Sequence, residues 1–364
     1  MELSNLQKSV VETKEKYVVV NSCAGSGKTR TLTERVKYLI KNGVAAKDIV
    51  VITFTNAAAD TMRERIGEAP GLNCSTIHSY ANRLLNSIGV DTAAILKKEN
   101  FDELFELVKQ NRRCLQNVEH LLLDEGQDST DVQFEFMFDV INPKNWMIFS
   151  DHRQSIFRFA GADPDYIIEL LNKPSVTVYN LNENYRNGYE ILNYARSLIA
   201  PLGWEYFDDS RAMSKFSGKV LTVECSFEGI SKTIKRRTDE GIDEYRDWFI
   251  LTRTNADLDK MRKTLDKYNI PNCTFKRSKD EIEDFEQRMS ENSVKVITIH
   301  TAKGLEAKNV VVIGSNFIDK EERCLSYVAA TRAQELLVWT YRKHFPQFNR
   351  RNKKSNIKVN NWEE

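Results

Sequence analysis

Residues 21–32 read Asn-Ser-Cys-Ala-Gly-Ser-Gly-Lys-Thr-Arg-Thr-Leu, NSCAGSGKTRTL, and they lie between the apolar run KYVVVNS and the segment TRTLTERVKYLIKNG. In that segment Leu32, Val36, Leu39 and Ile40 recur at helical spacing and Gly43 follows as a stop, so the order is strand, glycine-rich loop, helix. Gly25, Gly27, Lys28 and Thr29 match the pattern G-x-x-x-x-G-K-[ST], with Ser22 standing where the pattern has its first glycine. The glycines let backbone N–H groups wrap phosphate oxygens, the lysine reaches the outer phosphates, and the threonine hydroxyl suits Mg²⁺ at a helix N-terminus. Residues Ser22, Cys23, Ala24, Gly25, Ser26, Gly27, Lys28, Thr29 and Arg30 are therefore the expected cradle of a nucleoside triphosphate.

Working outward, the alternation continues as IVVITFT, AAADTMRERI, HLLLDE, WMIFSD and VTVYNL, then resumes as KVLTVEC, DWFILT, VKVITIH, NVVVIG and ELLVWTY. Continuous apolar strands separated by helices predict an α/β fold with mostly parallel sheets. At 364 residues the chain exceeds one ordinary core, so two α/β halves are expected, with the boundary near Asn182. The basic, aperiodic stretch from His344 to Glu364 reads as a flexible tail.

Composition narrows the class. Lys plus Arg (53) nearly balance Asp plus Glu (52), so any nucleic-acid surface must be local. Apolar runs such as Tyr17–Val20 and Val310–Ile313 fall far short of the roughly 18 residues of a membrane span. The opening residues MELSNLQKSVVE lack a signal-peptide pattern, which predicts a cytoplasmic protein. Six scattered cysteines without metal-ligand spacing read as reduced core thiols.

In LLLDEGQDS an apolar strand delivers Asp124 and Glu125 to its carboxyl end, the edge where open α/β sheets bind ligands. Asp124 is the expected partner of Thr29 on Mg²⁺, and Glu125 the group that orients or deprotonates an attacking water.

The ordered series LSNLQ, SCAGSGKTR, TFTNAAADTMRERI, STIHSYANRLL, LLLDEGQD, FSDHRQSIFRFAGAD, LNENYR, WFILTRTNADLDKM, VITIHTAKGLEAKNVVV and YVAATRA resembles the UvrD/Rep group of superfamily-one DNA helicases. The resemblance implies two tandem RecA-like domains, residues 1–182 and 183–343, with a nucleotide cleft between them. It implies an ATP hydrolase that moves 3′ to 5′ along single-stranded DNA, with RNA also open as a track, and that acts as a monomer without a membrane partner. It assigns Gln7 to the adenine edge, Tyr185 to stacking on the base, and Gly304 and Glu306 to the nucleotide. Gln154 is implied to sense the γ-phosphate, and Arg186 and Arg332 to reach it from the second half. For either arginine a surface ion pair is an equal alternative. Phe54, Thr55, Asn56, His78, Phe157, Phe159, Thr298 and His300, with Thr53 and Thr301 beside them, are the implied strand contacts. Aromatic faces stack on any base and hydroxyls bind phosphates without reading sequence; each aromatic read alone suits core packing equally.

Three positions depart from the family: Ala57 for Lys, Phe157 for Tyr and Ala160 for Arg. They bear on strand affinity rather than on hydrolysis. The family's two accessory subdomains are reduced here to Gly89–Val118, 30 residues, and Ser278–Ser293, 16 residues, with one helix expected over Asp102–Gln116 and a charged helix or loop in KDEIEDFEQRMSE. A compact motor is expected, its duplex-splitting surface supplied by a partner protein. The contrasting readings are an ATP-switched binding or protein-displacing protein without intrinsic unwinding, and a small-molecule phosphotransferase. The first predicts no strand-stimulated turnover, and the second leaves TFTN, QSIF and TIHTAKGLE without a purpose.

Overall fold

The apolar runs form strands because their β-branched side chains have two faces to bury. A computed structural model of the chain describes residues 2–98, 101–114, 117–203, 210–275, 282–314 and 319–341. The chain divides into two compact units, Met1–Asn182 and Glu183–Glu364.

In the first unit, helix α1 (Asn5–Glu12) precedes β1 (Tyr17–Ser22), α2 (Lys28–Lys41), β2 (Ile49–Thr53), α3 (Asn56–Ile66), β3 (Asn73–Thr76) and α4 (Ile77–Ser87). After α5 (Ala93–Lys97) and α6 (Phe101–Gln110) come β4 (His120–Leu123), α7 (Asp131–Glu135), β5 (Asn145–Ser150), α8 (Pro164–Leu171) and β6 (Thr177–Leu181). The six strands make one sheet in the order β3-β2-β4-β5-β1-β6, every pair parallel. Alternation along β1 sets the layers. Val18 and Val20 pack with Leu32, Val36 and Met62 on one face, while Val19 packs with Ile148, Leu121 and Tyr80 on the other. Burial on both faces is why these strands read as unbroken apolar runs. Strand β3 was not expected, because NCST carries only one apolar side chain; it holds the sheet edge through pairing with β2.

The second unit holds β7 (Glu183–Asn184), α9 (Tyr189–Ile199), β8 (Arg211–Ala212), β9 (Lys219–Glu224), α10 (Phe227–Asp239), β10 (Trp248–Thr252) and α11 (Asn255–Lys267). It continues with β11 (Asn272–Cys273), α12 (Ile282–Ser290), β12 (Val294–Thr298), α13 (Ile299–Ala302), β13 (Ala307–Ile313), α14 (Lys320–Ala330) and β14 (Ala333–Tyr341). Its parallel sheet runs β11-β12-β10-β13-β14-β9. Ile230 and Ile234 of α10 and Leu258, Met261 and Leu265 of α11 cover Ile250, Val296, Val311 and Val338.

Three expectations change. The helix expected over Asp102–Gln116 ends at Gln110, where Asn111 Nδ2 donates to Leu107 O (2.8 Å) and a single tight turn, Arg112–Cys114, follows. Arg112 holds that turn down through Nη2 to Ile141 O (2.9 Å). Leu104, Phe105 and Val108 of α6 join the unit's own core together with Ile95 of α5, so these two helices form part of a layer of the fold. Of the six cysteines only Cys23, Cys74 and Cys324 are buried; Cys114 is exposed, and all six are free thiols. His78 lies on α4 rather than on a loop. Residues 278–281 and the tail 344–364 lie outside the described residues.

Candidate nucleotide site and nucleic-acid track

The phosphate loop leaves β1 at the sheet's carboxyl edge. Cys23 N donates to Leu181 O (3.0 Å), and Ser22 Oγ donates to Ser150 O (2.8 Å), so the serine's hydroxyl is satisfied where the pattern has glycine. Gly25 (φ 66°) and Gly27 (φ 78°) are left-handed, and a Cβ on Gly27 would meet Gln7 Nε2 at 2.8 Å. Helix α2 starts at Lys28, presenting its first N–H groups to the loop. Gln7 closes the loop from behind. Its Nε2 donates to Ser26 O (2.9 Å) while its Oε1 accepts from Ser4 N (3.0 Å), completing the cap of α1. Arg30 lies half-buried on α2.

The acids from β4 meet this loop. Lys28 Nζ lies 3.2 Å from Glu125 Oε2, and Thr29 Oγ1 donates to Asp124 Oδ2 at 3.4 Å. Burial, then the neighbouring Glu125 charge, pushes the Asp124 carboxyl up to about 7, despite the opposing pull of Lys28. Burial alone would lower Lys28, but Glu125, Asp151 and Asp124 outweigh it and hold its pKa above the ordinary lysine value. Glu125 adopts φ 53°, a left-handed conformation uncommon for a residue with a side chain. A desolvated carboxylate beside a threonine hydroxyl is a donor set that fits Mg²⁺.

A second layer escaped the sequence reading. Gln127 is fully buried; its Nε2 donates to Glu125 Oε2 and its Oε1 accepts from Asp151 N (3.0 Å). Asp151 receives Arg153 Nε (2.6 Å) and Gln154 Nε2 (2.7 Å), and Arg153 Nη2 reaches Ser22 O (2.9 Å). Burial would raise Asp151, but Arg153 and Lys28 hold it below the usual carboxylate range. The available signal was the cluster of polar residues immediately after two apolar strands, GQDS and DHRQS. His152 is buried among them.

The second unit brings together Arg186, Glu306 and Arg332. Arg186 Nε pairs with Glu306, its Nη1 donates to Thr331 O (3.4 Å), and Gln334 Nε2 donates to Glu306 Oε1 (3.1 Å). Arg332 is 1% exposed and donates to Val328 O (3.0 Å), Leu305 O (3.2 Å) and Thr331 Oγ1 (3.2 Å). Gly304 is left-handed (φ 81°) just before Leu305. Tyr185 OH donates to Glu183 (2.7 Å).

Of the expected strand contacts, Phe54 stacks on Phe157 (centroids 4.9 Å apart), Phe157 meets Phe159 (6.0 Å), and Phe159 is 71% exposed. Thr55 Oγ1 caps α3 through Ala58 N (3.1 Å), placing Asn56 in the first turn, and Thr53 Oγ1 donates to Thr55 O. His78 stacks on Phe101 (4.3 Å) and Phe105 (5.6 Å) of α6, and burial lowers its pKa. In the second unit Thr298 caps α13 by accepting from Thr301 N, and His300 lies on that turn.

Residues 3–113 and 99–175 match the UvrD/REP helicase N-terminal domain, and residues 276–344 match the UvrD-like helicase C-terminal domain. The chain belongs to the UvrD/Rep helicase family. Its two units are α/β bodies of the RecA-like kind. A probable DNA helicase II homolog of Mycoplasma capricolum is 25% identical over 371 residues, covering 74% of this chain and 51% of the relative. A putative ATP-dependent DNA helicase of Acanthamoeba polyphaga mimivirus is 31% identical over 199 residues, 49% of this chain and 27% of the relative. The ATP-dependent DNA helicase PcrA of Staphylococcus epidermidis is 26% identical over 368 residues, 74% of this chain and 50% of the relative. The chain thus spans about half the length of such relatives, or less. Among the described residues no helix is long and apolar enough to cross a membrane.

Proposed function

We propose that the chain is an ATP-driven translocase on single-stranded DNA, moving 3′ to 5′, with weak unwinding of its own. The observation that carries this reading is that Lys28, Thr29, Asp124 and Glu125 converge at the same sheet edge that carries the stacked rings Phe54, Phe157 and Phe159. Nucleotide chemistry and a sequence-tolerant base platform share one scaffold.

On nucleotide binding Lys28 exchanges Glu125 for the outer phosphates, while Gly25 to Thr29 supply backbone N–H groups. Glu125, released from the lysine, takes the water's proton. Thr29 and Asp124 would hold Mg²⁺, which when bound neutralises phosphate charge. Gln154 answers the γ-phosphate, Tyr185 stacks on the adenine, and Arg186 of the second RecA-like domain, residues 183–343, adds to the charge neutralisation, while Arg332 holds the turn beside it. Gln7, whose amide both donates and accepts, reads the base edge. Because α5 and α6 are built into the core of the first unit, duplex separation falls to a partner protein, and the chain works as a monomer at its DNA.

The test is ATP hydrolysis with and without oligo-dT, beside displacement of partial duplexes carrying 3′ or 5′ tails. Strand-stimulated turnover is expected, lost in Glu125→Gln with ADP binding kept, together with slow displacement from 3′ tails. Turnover indifferent to the strand overturns the reading.

A further inference from the structure

Gln127 lies outside the residues that hold nucleotide or strand, yet it connects the two. Its side chain is fully buried and both ends of its amide are engaged, one by Glu125 Oε2 and the other by Asp151 N (3.0 Å). Its carbonyl accepts from Ser155 Oγ (3.3 Å). The segment it grips begins at Asp151, whose carboxylate holds Gln154 (2.7 Å), and runs on to the rings of Phe157 and the exposed Phe159. Arg153 pins the start of that segment to Ser22 O (2.9 Å), so its far end is better placed to move than its root.

We propose that Gln127 is a positioning residue that transmits occupancy of the Phe157 and Phe159 rings to the Glu125 carboxylate, and so sets how strongly a bound strand stimulates hydrolysis. This rests on the reading of the chain as a strand-stimulated ATPase. The physical reasons are geometric. Glu125 is held in a left-handed conformation, and Lys28 and Gln127 donate to the same carboxylate oxygen. When the phosphates draw Lys28 away, the amide of Gln127 keeps that oxygen in place and fixes the plane of the carboxylate. The plane sets where the other oxygen points and therefore whether it meets the water. A shift of the Asp151–Phe159 segment alters that plane through one rigid amide, a two-bond path rather than a diffuse one.

The experiment compares the parent chain with Gln127→Met, which keeps the bulk and loses both hydrogen bonds, and with Gln127→Glu, which keeps the acceptor for Asp151 N and loses the amide donor to Glu125. Turnover is measured with and without oligo-dT, beside the KM for ATP and the affinities for a fluorescent ADP and for oligo-dT. In both variants the strand-stimulated kcat falls at least about tenfold, a part of the roughly 10²–10⁴-fold that a positioned general base supplies. The ratio of stimulated to unstimulated rate falls toward one. The KM and both affinities stay within about twofold. Should Gln127→Met lose ADP binding, Gln127→Glu carries the same comparison. Equal loss of both rates, with the ratio between them kept, overturns the coupling role and leaves a structural glutamine. A parent chain indifferent to the strand overturns the functional reading and this inference with it.

Discussion

Replacing Asp124 with Asn should stabilise the nucleotide-free protein while abolishing turnover. The carboxyl is buried beside Glu125, and its pKa moves from 3.8 to about 7. A native pKa above the unfolded one means that the unfolded chain binds fewer protons between pH 4 and 7, so stability falls as pH rises through that window. The displacement corresponds to at most about 4 kcal/mol once both states are ionised. Relaxation around the charge and its coupling to Glu125 and Lys28 lower that ceiling, so about 1–4 kcal/mol is expected at pH 8. At about 2–4 °C per kcal/mol for a unit of this size, the melting temperature rises by at least about 2 °C. Asn keeps the shape: its oxygen can accept from Glu125 N, as Asp124 Oδ1 does at 3.1 Å, and its amide can face Thr29 Oγ1. Thermal unfolding of both proteins at pH 8 and pH 5, without nucleotide, measures the effect. The gain at pH 5 should be less than about half of that at pH 8. A variant that melts lower at pH 8, or a gain of equal size at both values, refutes the burial argument.

The two arginines of the second unit should separate by stability. Arg332→Ala removes a donor from each of the Val328 and Leu305 carbonyls and leaves a cavity, costing at least about 2 kcal/mol in urea unfolding, whereas Arg186→Ala, whose partner Glu306 is part-exposed, costs under about 1 kcal/mol. Equal losses contradict the structural role of Arg332. Phe159→Ala should weaken oligo-dT binding by about 1–3 kcal/mol in fluorescence anisotropy without lowering the melting temperature, because its ring is solvent-facing. Undiminished binding removes Phe159 from the track.

The loop from Ser22 to Thr29, the paired acids and the parallel strands were legible because each depends on local chemistry: glycines where the backbone turns left-handed, apolar runs where both faces are covered, acids where a strand ends. Residues 89–118 show where local reading stopped. Periodicity announced a helix, but its end depends on Asn111 and on Arg112 reaching carbonyls that come from 28 and 29 residues further along the chain. His78 carried the chemistry of a strand contact, and only the packing of α6 placed Phe101 and Phe105 against its ring.

Sequence alone determined which residues bear charge, hydroxyl and aromatic faces, and in what order along the strands they leave the sheet. The tertiary structure decided their partners: that Ser22 gives its hydroxyl to Ser150, that Arg332 spends its donors on backbone carbonyls, and that Gln127 stands between Glu125 and Asp151. The difference is physical. Backbone preference and hydrophobic period act over a few neighbouring residues, whereas a buried polar atom takes whichever donor or acceptor the fold brings within about 3 Å, from any distance along the chain.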